Sequence, residues 1–151
     1  MEKIIKLKKI LKREKIDAYI VPKNDEFFGE YVPDHNDRLK FISNFNGSYG
    51  FALILQSTNY LFVDGRYTLQ ANDQSGKFFK IITIPNKMPH DILKRKKMLI
   101  GFDPRLFTKK TLSIFFGKCK CRYKPIKKNL IDEIWKRKMI KNKSKFFTLS
   151  N

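Results

Sequence analysis

Hydrophobic residues recur with two different periods along this chain, and the period changes from segment to segment. Ile4, Leu7, Ile10 and Leu11 fall on one helical face, while lysines fill the other faces. This stripe is narrow and lacks the aromatic anchors of a membrane-surface helix, so a core-packed helix is favoured. The next apolar run, residues 16–22, is rich in strand-forming residues and stops at a proline, which predicts a buried strand.

A polar loop over residues 23–31 precedes signals for a short helix and then a hairpin. Asp34 is expected to cap the helix and Asp37 to lie in its first turn, where a carboxylate is favourable. The apolar runs 51–56 and 60–63 are separated by a short polar turn, which is typical of a β-hairpin.

Strands and helices alternate in the second half of the chain. Period and flanking Gly or Pro residues predict strands at residues 79–85, 98–104 and 120–126. The same signals predict helices at residues 67–71, 88–97, 108–117 and 129–135. Alternation with one early hairpin is typical of an α/β fold, and we expect a mixed sheet of about five to six strands with helices on both faces.

The chain is strongly basic, with a formal net charge of +19 at pH 7. The excess is almost all lysine, because the sequence has 26 Lys and 7 Arg, and the lysines are spread along its length. Proteins that read nucleic acids usually rely on arginine forks for bidentate contacts with bases and phosphates. We therefore expect salt-sensitive attraction to polyanions but no specific nucleic-acid partner.

Residues with the spacing of a self-contained active site are absent from the sequence. Phosphate-binding glycine loops, HExxH helices and GxSxG elbows do not occur, and only 14 residues are acidic. Cys119 and Cys121 supply too few ligands for a structural zinc site, and His35 and His90 are distant in sequence. We expect no catalytic residue and no metal ligand here, with the two thiols packing on one face of a strand.

Cysteine usage and hydropathy also bear on the compartment. Two cysteines fit a reducing cytoplasm. No apolar run approaches the ~20 residues that a membrane span needs. The basic N-terminal segment lacks the unbroken apolar core of a signal peptide. We expect a cytoplasmic chain that does not enter a membrane.

Three stretches of the sequence resemble one family of enzymes, in family order and with family-like spacing. They are DAYIVPKNDEFFGEYVPDHNDRLKFISNFNGSYGFALIL from residue 17, FVDGRYTLQA from residue 62 and NLIDEIWKRK from residue 129. On these motifs the chain resembles the Xaa-Pro aminopeptidases (aminopeptidase P) of the creatinase/prolidase group, in their long, three-domain form.

The resemblance implies a creatinase/prolidase N-terminal-like fold with a ribonuclease H-like strand arrangement over residues 1–138, and a basic linker or tail at 139–151. In that family, a later domain uses two Asp, two Glu and one His to hold two divalent metals, commonly manganese. The metals activate a water that attacks the peptide bond before proline. The first domain walls the cleft and builds the homodimer, so this chain alone is expected not to hydrolyse peptides.

Six residues become candidates for lining such a cleft: Tyr31, His35, Arg38, Ser48, Arg66 and Tyr67. In one interpretation Arg66 projects towards a substrate carboxylate or carbonyl; in the other it pairs with Asp64 and holds the turn. Tyr67 is expected to be buried with its hydroxyl hydrogen-bonded, and His35 to be solvated.

The sequence departs from the family pattern at several positions. Phe27 and Phe28 stand where the family often has His-Gln. Lys15 replaces a glycine that ends the first helix, where a left-handed conformation costs a non-glycine residue about 1 kcal/mol. Two other functions stay open: a stand-alone peptide-binding or dimerisation module, and a basic nucleic-acid-binding protein.

Overall fold

The computed structural model describes residues 1–94 and 97–137, in which six strands form one sheet. The strands are β1 (Ala18–Pro22), β2 (Gly50–Leu55), β3 (Asn59–Asp64), β4 (Lys80–Ile84), β5 (Leu99–Phe102) and β6 (Arg122–Pro125). Their order across the sheet is β4-β3-β2-β1-β5-β6. The predicted mixed sheet is confirmed, and so is the hairpin, because β2 and β3 pair antiparallel.

The described residues also form six α-helices. They are α1 (Glu2–Arg13), α2 (Arg38–Ser43), α3 (Thr68–Ser75), α4 (Pro89–Leu93), α5 (Lys109–Phe116) and α6 (Leu130–Ile134). None of these helices is long and apolar enough to cross a membrane. Residues 95 and 96 of the helix predicted at 88–97, residue 138, and the tail predicted at 139–151 lie outside the described residues.

Side chains alternate between the two faces of the sheet, and helices cover each face. In β1, Tyr19 and Val21 face a first core, while Ala18 and Ile20 face a second. Residues of α1, α2, α3 and α6 complete the first core, and residues of α4 and α5 complete the second. The prediction of helices on both faces is confirmed, and burial on both faces explains why β1 and β2 read as continuous apolar runs.

One strand runs against the other five, and this gathers several loops at one edge of the sheet. β2 is antiparallel to β1 and β3, whereas the β1–β5, β5–β6 and β3–β4 pairs are parallel. Gly50 at the start of β2 lies opposite Val63. Asp64 at the end of β3 lies opposite Ile84 at the end of β4. The loops leaving β1, β3 and β4 therefore meet the loop entering β2 at what we call the carboxyl edge.

Asp37 rather than Asp34 caps α2, so the predicted cap is wrong. Asp37 Oδ1 accepts a hydrogen bond from Lys40 N at 2.9 Å, whereas Asp34 is exposed and its carboxylate accepts from Lys40 Nζ. Both residues are good caps by type. The other carboxylate oxygen of Asp37 also pairs with Lys23, a partly buried lysine in the preceding loop, and this contact holds Asp37 in its capping position.

The two cysteines precede β6, so the prediction that they lie on a strand is wrong. A turn closed by the bond from Cys119 N to Phe116 O occupies this segment, and the strand begins only at Arg122. Both cysteines pack, partly buried, against the second core, as expected. Burial raises the pKa of the Cys119 thiol to about 11.

Lys15 joins α1 to β1 in a left-handed conformation, with φ of 53°. Ile16 N donates to Leu11 O at 3.0 Å, and the Ile16 side chain is buried directly after the turn. The non-glycine residue noted in the sequence therefore stands where glycine has the lower backbone energy.

Replacing Lys15 with glycine should raise the free energy of unfolding by about 0.5–1 kcal/mol, because glycine adopts positive φ without the steric cost. Lys9→Gly is the matched control, since Lys9 is exposed within α1 and glycine there should cost about 1 kcal/mol. Urea denaturation measures both variants. A loss of stability in Lys15→Gly would contradict the expectation.

Candidate functional site

The turn that follows β3 is closed by Asp64 and carries Arg66 outwards. Asp64 Oδ1 accepts hydrogen bonds from both the backbone N and the Nε of Arg66, each at 2.9 Å. This side-chain bond lowers the pKa of Asp64 and raises that of Arg66. The pairing predicted as the structural alternative is therefore present. Even so, the Arg66 side chain is 75% exposed. Its two Nη atoms have no hydrogen-bond partner within residues 1–94 and 97–137.

Tyr67 connects this turn to the loop that enters β2. Its hydroxyl lies 2.6 Å from Ser48 Oγ, and its ring meets Phe45 edge-on with centroids 6.0 Å apart. The hydrogen-bonded hydroxyl agrees with the prediction, while the ring is only partly buried. Gly47, one residue before Ser48, packs on the buried Phe45 ring, and a Cβ there would come within 2.2 Å of that ring. The loop can therefore follow this path only with glycine at that position.

Amides of α3 hold the same loop from the side. Asn46 N donates to Gln74 Oε1 at 3.0 Å, and Gln74 Nε2 donates back to Asn46 Oδ1 at 2.9 Å. Gln70 Nε2 donates to the same Asn46 oxygen. Ser48 is therefore presented at the carboxyl edge by a loop with several fixed contacts.

Arg38 is the candidate that the structure turns inwards. Its side chain is 2% exposed, with Nε 2.8 Å from Asp132 Oδ1 and one Nη 2.6 Å from Glu26 Oε1. Burial by itself would lower the pKa of Arg38, but the hydrogen bonds from these two carboxylates raise it above its ordinary value. Arg137 also bonds to Asp132. In this chain Arg38 joins α2, α6 and the loop after β1, and it is not presented with Ser48, Arg66 and Tyr67.

The loop between β1 and α2 carries the other two candidates on its surface. Tyr31 is 83% exposed and lines a small depression together with Ser48. His35 is exposed as expected, but it does not line that depression. The buried Asp25 carboxylate supports the loop by accepting bonds from Phe27 N at 3.0 Å and Asn36 Nδ2 at 3.1 Å. The structure thus groups Tyr31, Ser48, Tyr67 and Arg66, and separates them from His35 and Arg38.

A buried carboxylate that the sequence did not single out directly follows β5, at the carboxyl edge of the sheet. Asp103 is 1% exposed and accepts from Arg105 Nη2 at 2.7 Å and Asn129 Nδ2 at 2.9 Å. Burial would raise the pKa of Asp103, but these hydrogen bonds outweigh burial and hold the pKa below its ordinary value. The only sequence signal was the position of Asp103 before a proline at the end of β5.

The described residues do not fit the metal pair that the resemblance implies. No group of three or more His, Cys, Asp or Glu side chains in residues 1–94 and 97–137 could hold a metal ion. Four acidic residues near the carboxyl edge, Asp25, Glu26, Asp37 and Asp103, are instead occupied by arginine, lysine, asparagine and backbone N–H groups. The arrangement can present cations and aromatic rings to a ligand, and no metal-dependent step is assigned to it.

The fold and the three sequence motifs together indicate which family of domains this chain belongs to. Residues 3–134 match the creatinase/prolidase N-terminal domain. The chain belongs to this family, as its three motifs predicted.

Relatives of the chain are Xaa-Pro aminopeptidases. A probable Xaa-Pro aminopeptidase P from Coprinopsis cinerea is 34% identical over 138 residues, covering 85% of this chain and 22% of that protein. Xaa-Pro aminopeptidase ApepP from Drosophila melanogaster is 33% identical over 135 residues, covering 80% of this chain and 21% of that protein. The chain therefore spans about a fifth of the length of these relatives and matches only their N-terminal domain.

Solved structures support the same fold. X-prolyl aminopeptidase from Caenorhabditis elegans, described as a cytosolic enzyme with a di-nuclear active site, matches with a TM-score of 0.78 and 31% identity over 89% of this chain and 25% of that one. The N-terminal domain of the cytoplasmic peptidase PepQ from Mycobacterium tuberculosis matches with a TM-score of 0.68 and 18% identity, over 98% of that chain. The second likeness shows the fold alone.

Arg38→Met should lower the free energy of unfolding by about 2–3 kcal/mol, because Glu26 and Asp132 lose their shared buried cation. Arg105 and Arg137 still contact these two carboxylates, which keeps the loss below that of fully unpaired charges. Arg66→Met is the control, since it removes the same charge from an exposed site and should leave the unfolding midpoint almost unchanged. Equal midpoints for the two variants would rule out a structural role for Arg38.

Asp103→Asn should destabilise the protein near neutral pH, and the difference from wild type should disappear in acid. The folded pKa lies below the ordinary value of 3.8, so the stabilisation is complete above about pH 4 to 5 and is lost as pH falls through the folded value. Chemical denaturation of both proteins at several pH values between 7 and 3 measures this. A difference that stays constant over the whole range would disprove the linkage.

Proposed function

We propose that this chain acts as the non-catalytic N-terminal domain of an Xaa-Pro aminopeptidase-like metallopeptidase, which removes N-terminal residues that precede proline. The observation that carries the proposal is the match of residues 3–134 to the N-terminal domain of this family, with relatives that are Xaa-Pro aminopeptidases. Residues 1–138 form the domain, and residues 139–151 serve as a basic linker or tail.

The carboxyl edge is the surface that faces the cleft in this proposal. Tyr31, Ser48, Arg66 and Tyr67 are grouped there on loops fixed by hydrogen bonds, so they can present donors and rings at constant positions. Arg66 retains two Nη atoms without a hydrogen-bond partner among the described residues, and these suit a peptide carbonyl or carboxylate. Arg38 supports this edge from inside, and His35 is exposed on the loop between β1 and α2.

The chemistry belongs to a partner domain in this proposal. Two divalent metals, commonly manganese, would be held there, and the peptide substrate would reach this chain through that domain. The di-nuclear active site of the Caenorhabditis elegans relative supports this division. The cytosolic location of that relative likewise supports a cytoplasmic location for this chain.

Dimerisation is the second part of the proposal. Ile5 on α1 and Leu69 on α3 are large apolar side chains that remain exposed. Exposed residues of this kind are normal when single, but they also supply the apolar centre of a homodimer interface. The alternative is a stand-alone peptide-binding or dimerisation module without enzymatic activity, which the same exposed side chains would serve.

A domain exchange tests the proposed function. The chain alone should not hydrolyse an Xaa-Pro peptide in the presence of Mn²⁺. A chimera in which residues 1–137 replace the aligned segment of the Caenorhabditis elegans enzyme should hydrolyse it, and that enzyme with the segment deleted should not. Release of the N-terminal residue, followed by chromatography, is the measurement.

Arg66→Gln in the chimera separates the two interpretations of this residue. A cleft contact made equally in the ground and transition states predicts a higher KM with unchanged kcat. Unchanged KM and kcat would indicate that Arg66 only stabilises the turn through its hydrogen bonds with Asp64. Hydrolysis by the chain alone, or an inactive but folded chimera, would overturn the proposal.

A further inference from the structure

Two neighbouring depressions lie at the carboxyl edge on the face that α5 covers, and we call them together the groove. They have volumes of about 480 and 370 Å³ and share Tyr49, Ile114 and Phe115. The larger one extends to the loop after β1, and the smaller one extends to Asp64 and Arg66. Residues from five different segments of the chain line the groove.

The floor of the groove is apolar and firmly packed. Phe115 contacts Phe51 with ring centroids 4.8 Å apart, and Phe51 stacks on Phe62 at 4.7 Å, so the floor continues into the second core. Two large side chains stay exposed above this floor, Tyr49 at 46% and Ile114 at 58%. Clustered exposed apolar side chains in a concave surface are typical of a binding site.

A pre-oriented guanidinium closes one end of the groove. The bond from Arg66 Nε to Asp64 and the capping bond from Arg66 N fix the base of the side chain, and both residues line the smaller depression. The two Nη atoms are the unoccupied donors described above. An arginine held this way loses little entropy on binding, and its fork matches a carboxylate.

We propose that this groove binds a polypeptide segment in which a carboxylate side chain stands next to large apolar side chains. The carboxylate would meet Arg66, and the apolar side chains would cover Tyr49, Ile114 and Phe115. The net charge of +19 attracts anionic segments to the chain as a whole. Within the groove the charges of Lys23, Glu30, Asp64 and Arg66 balance, so the local contact comes from the Nη donors of Arg66. A second copy of the same chain would bring an equal positive charge. The inference uses the same Arg66 donors as the cleft contact of the proposed function, but it is tested on this chain alone, so its failure and the failure of the proposed function are distinguishable.

The probe is a fluorescein-labelled octapeptide with Leu-Phe-Asp-Phe at its centre, compared with the same peptide carrying Asn in place of Asp. Fluorescence anisotropy with the full 151-residue chain should show about tenfold tighter binding of the Asp peptide at low salt. Arg66→Gln should remove this preference. It keeps the backbone bond to Asp64, so the turn is retained.

Two control variants distinguish binding in the groove from non-specific attraction to the positive charge of the whole chain. Arg122→Gln removes one charge from an exposed arginine at the start of β6, on the opposite edge of the sheet, and should keep the preference for the Asp peptide. Ile114→Ser should weaken both peptides to a similar extent, because it removes apolar contact area without touching the guanidinium. Ile114 is exposed, so this variant is expected to fold.

The outcomes decide the proposal. Equal binding of the Asp and Asn peptides, no binding of either, or an equal loss in Arg66→Gln and Arg122→Gln would overturn it. Sedimentation of the chain alone detects the other occupant: self-association that Ile114→Ser abolishes would make the groove a contact between two copies.

Discussion

The buried ion pairs of Arg38 with Glu26 and Asp132 are the interactions on which the loops of the carboxyl edge depend. A charge removed from water is unfavourable unless its partners are close and well oriented. Its partners come from separate parts of the chain, Glu26 from the loop after β1 and Asp132 from α6. The two ion pairs of Arg38 therefore hold α2, α6 and the loop after β1 together. The loop after β1, which carries the exposed Phe27, Phe28 and Tyr31, is thereby anchored through Glu26.

The direction of β2 explains why the candidate residues come together. Had all six strands run the same way, the loop entering β2 would lie at the opposite edge from the turn after β3. The reversal brings Ser48 to Tyr67, with 2.6 Å between their oxygen atoms. The hairpin thus joins two motifs that are separated in the sequence, and the short turn at Asp64 then directs Arg66 away from the sheet. The β2–β3 hairpin connection therefore determines both the strand directions and the grouping of these residues.

Much of the fold could be predicted because the strands bury both faces and the helices carry clear periods. The hairpin and the pairing of Arg66 with Asp64 were also accessible, since each depends on neighbouring residues. The burial of Arg38 was not, because it depends on Asp132, which lies 94 positions away. The prediction of the α2 cap failed for a similar reason: Asp34 and Asp37 are chemically alike, and the contact of Asp37 with Lys23 comes from another segment of the chain. Contacts between residues close in sequence could be predicted, whereas contacts between residues far apart in sequence could not.

The strand order has a further consequence for how the domain could associate wrongly. The two outer strands of the described sheet differ in their resistance to pairing with another chain. β6 carries Arg122, Lys124 and Pro125, which are charges and a missing N–H that discourage strand addition. β4 has isoleucine at three of its five positions, and lysine is its only charged residue. α3 packs against β4 and helps to shield it. Aggregation of partly unfolded molecules would therefore be directional, growing from the β4 side of the sheet while the β6 side stays closed.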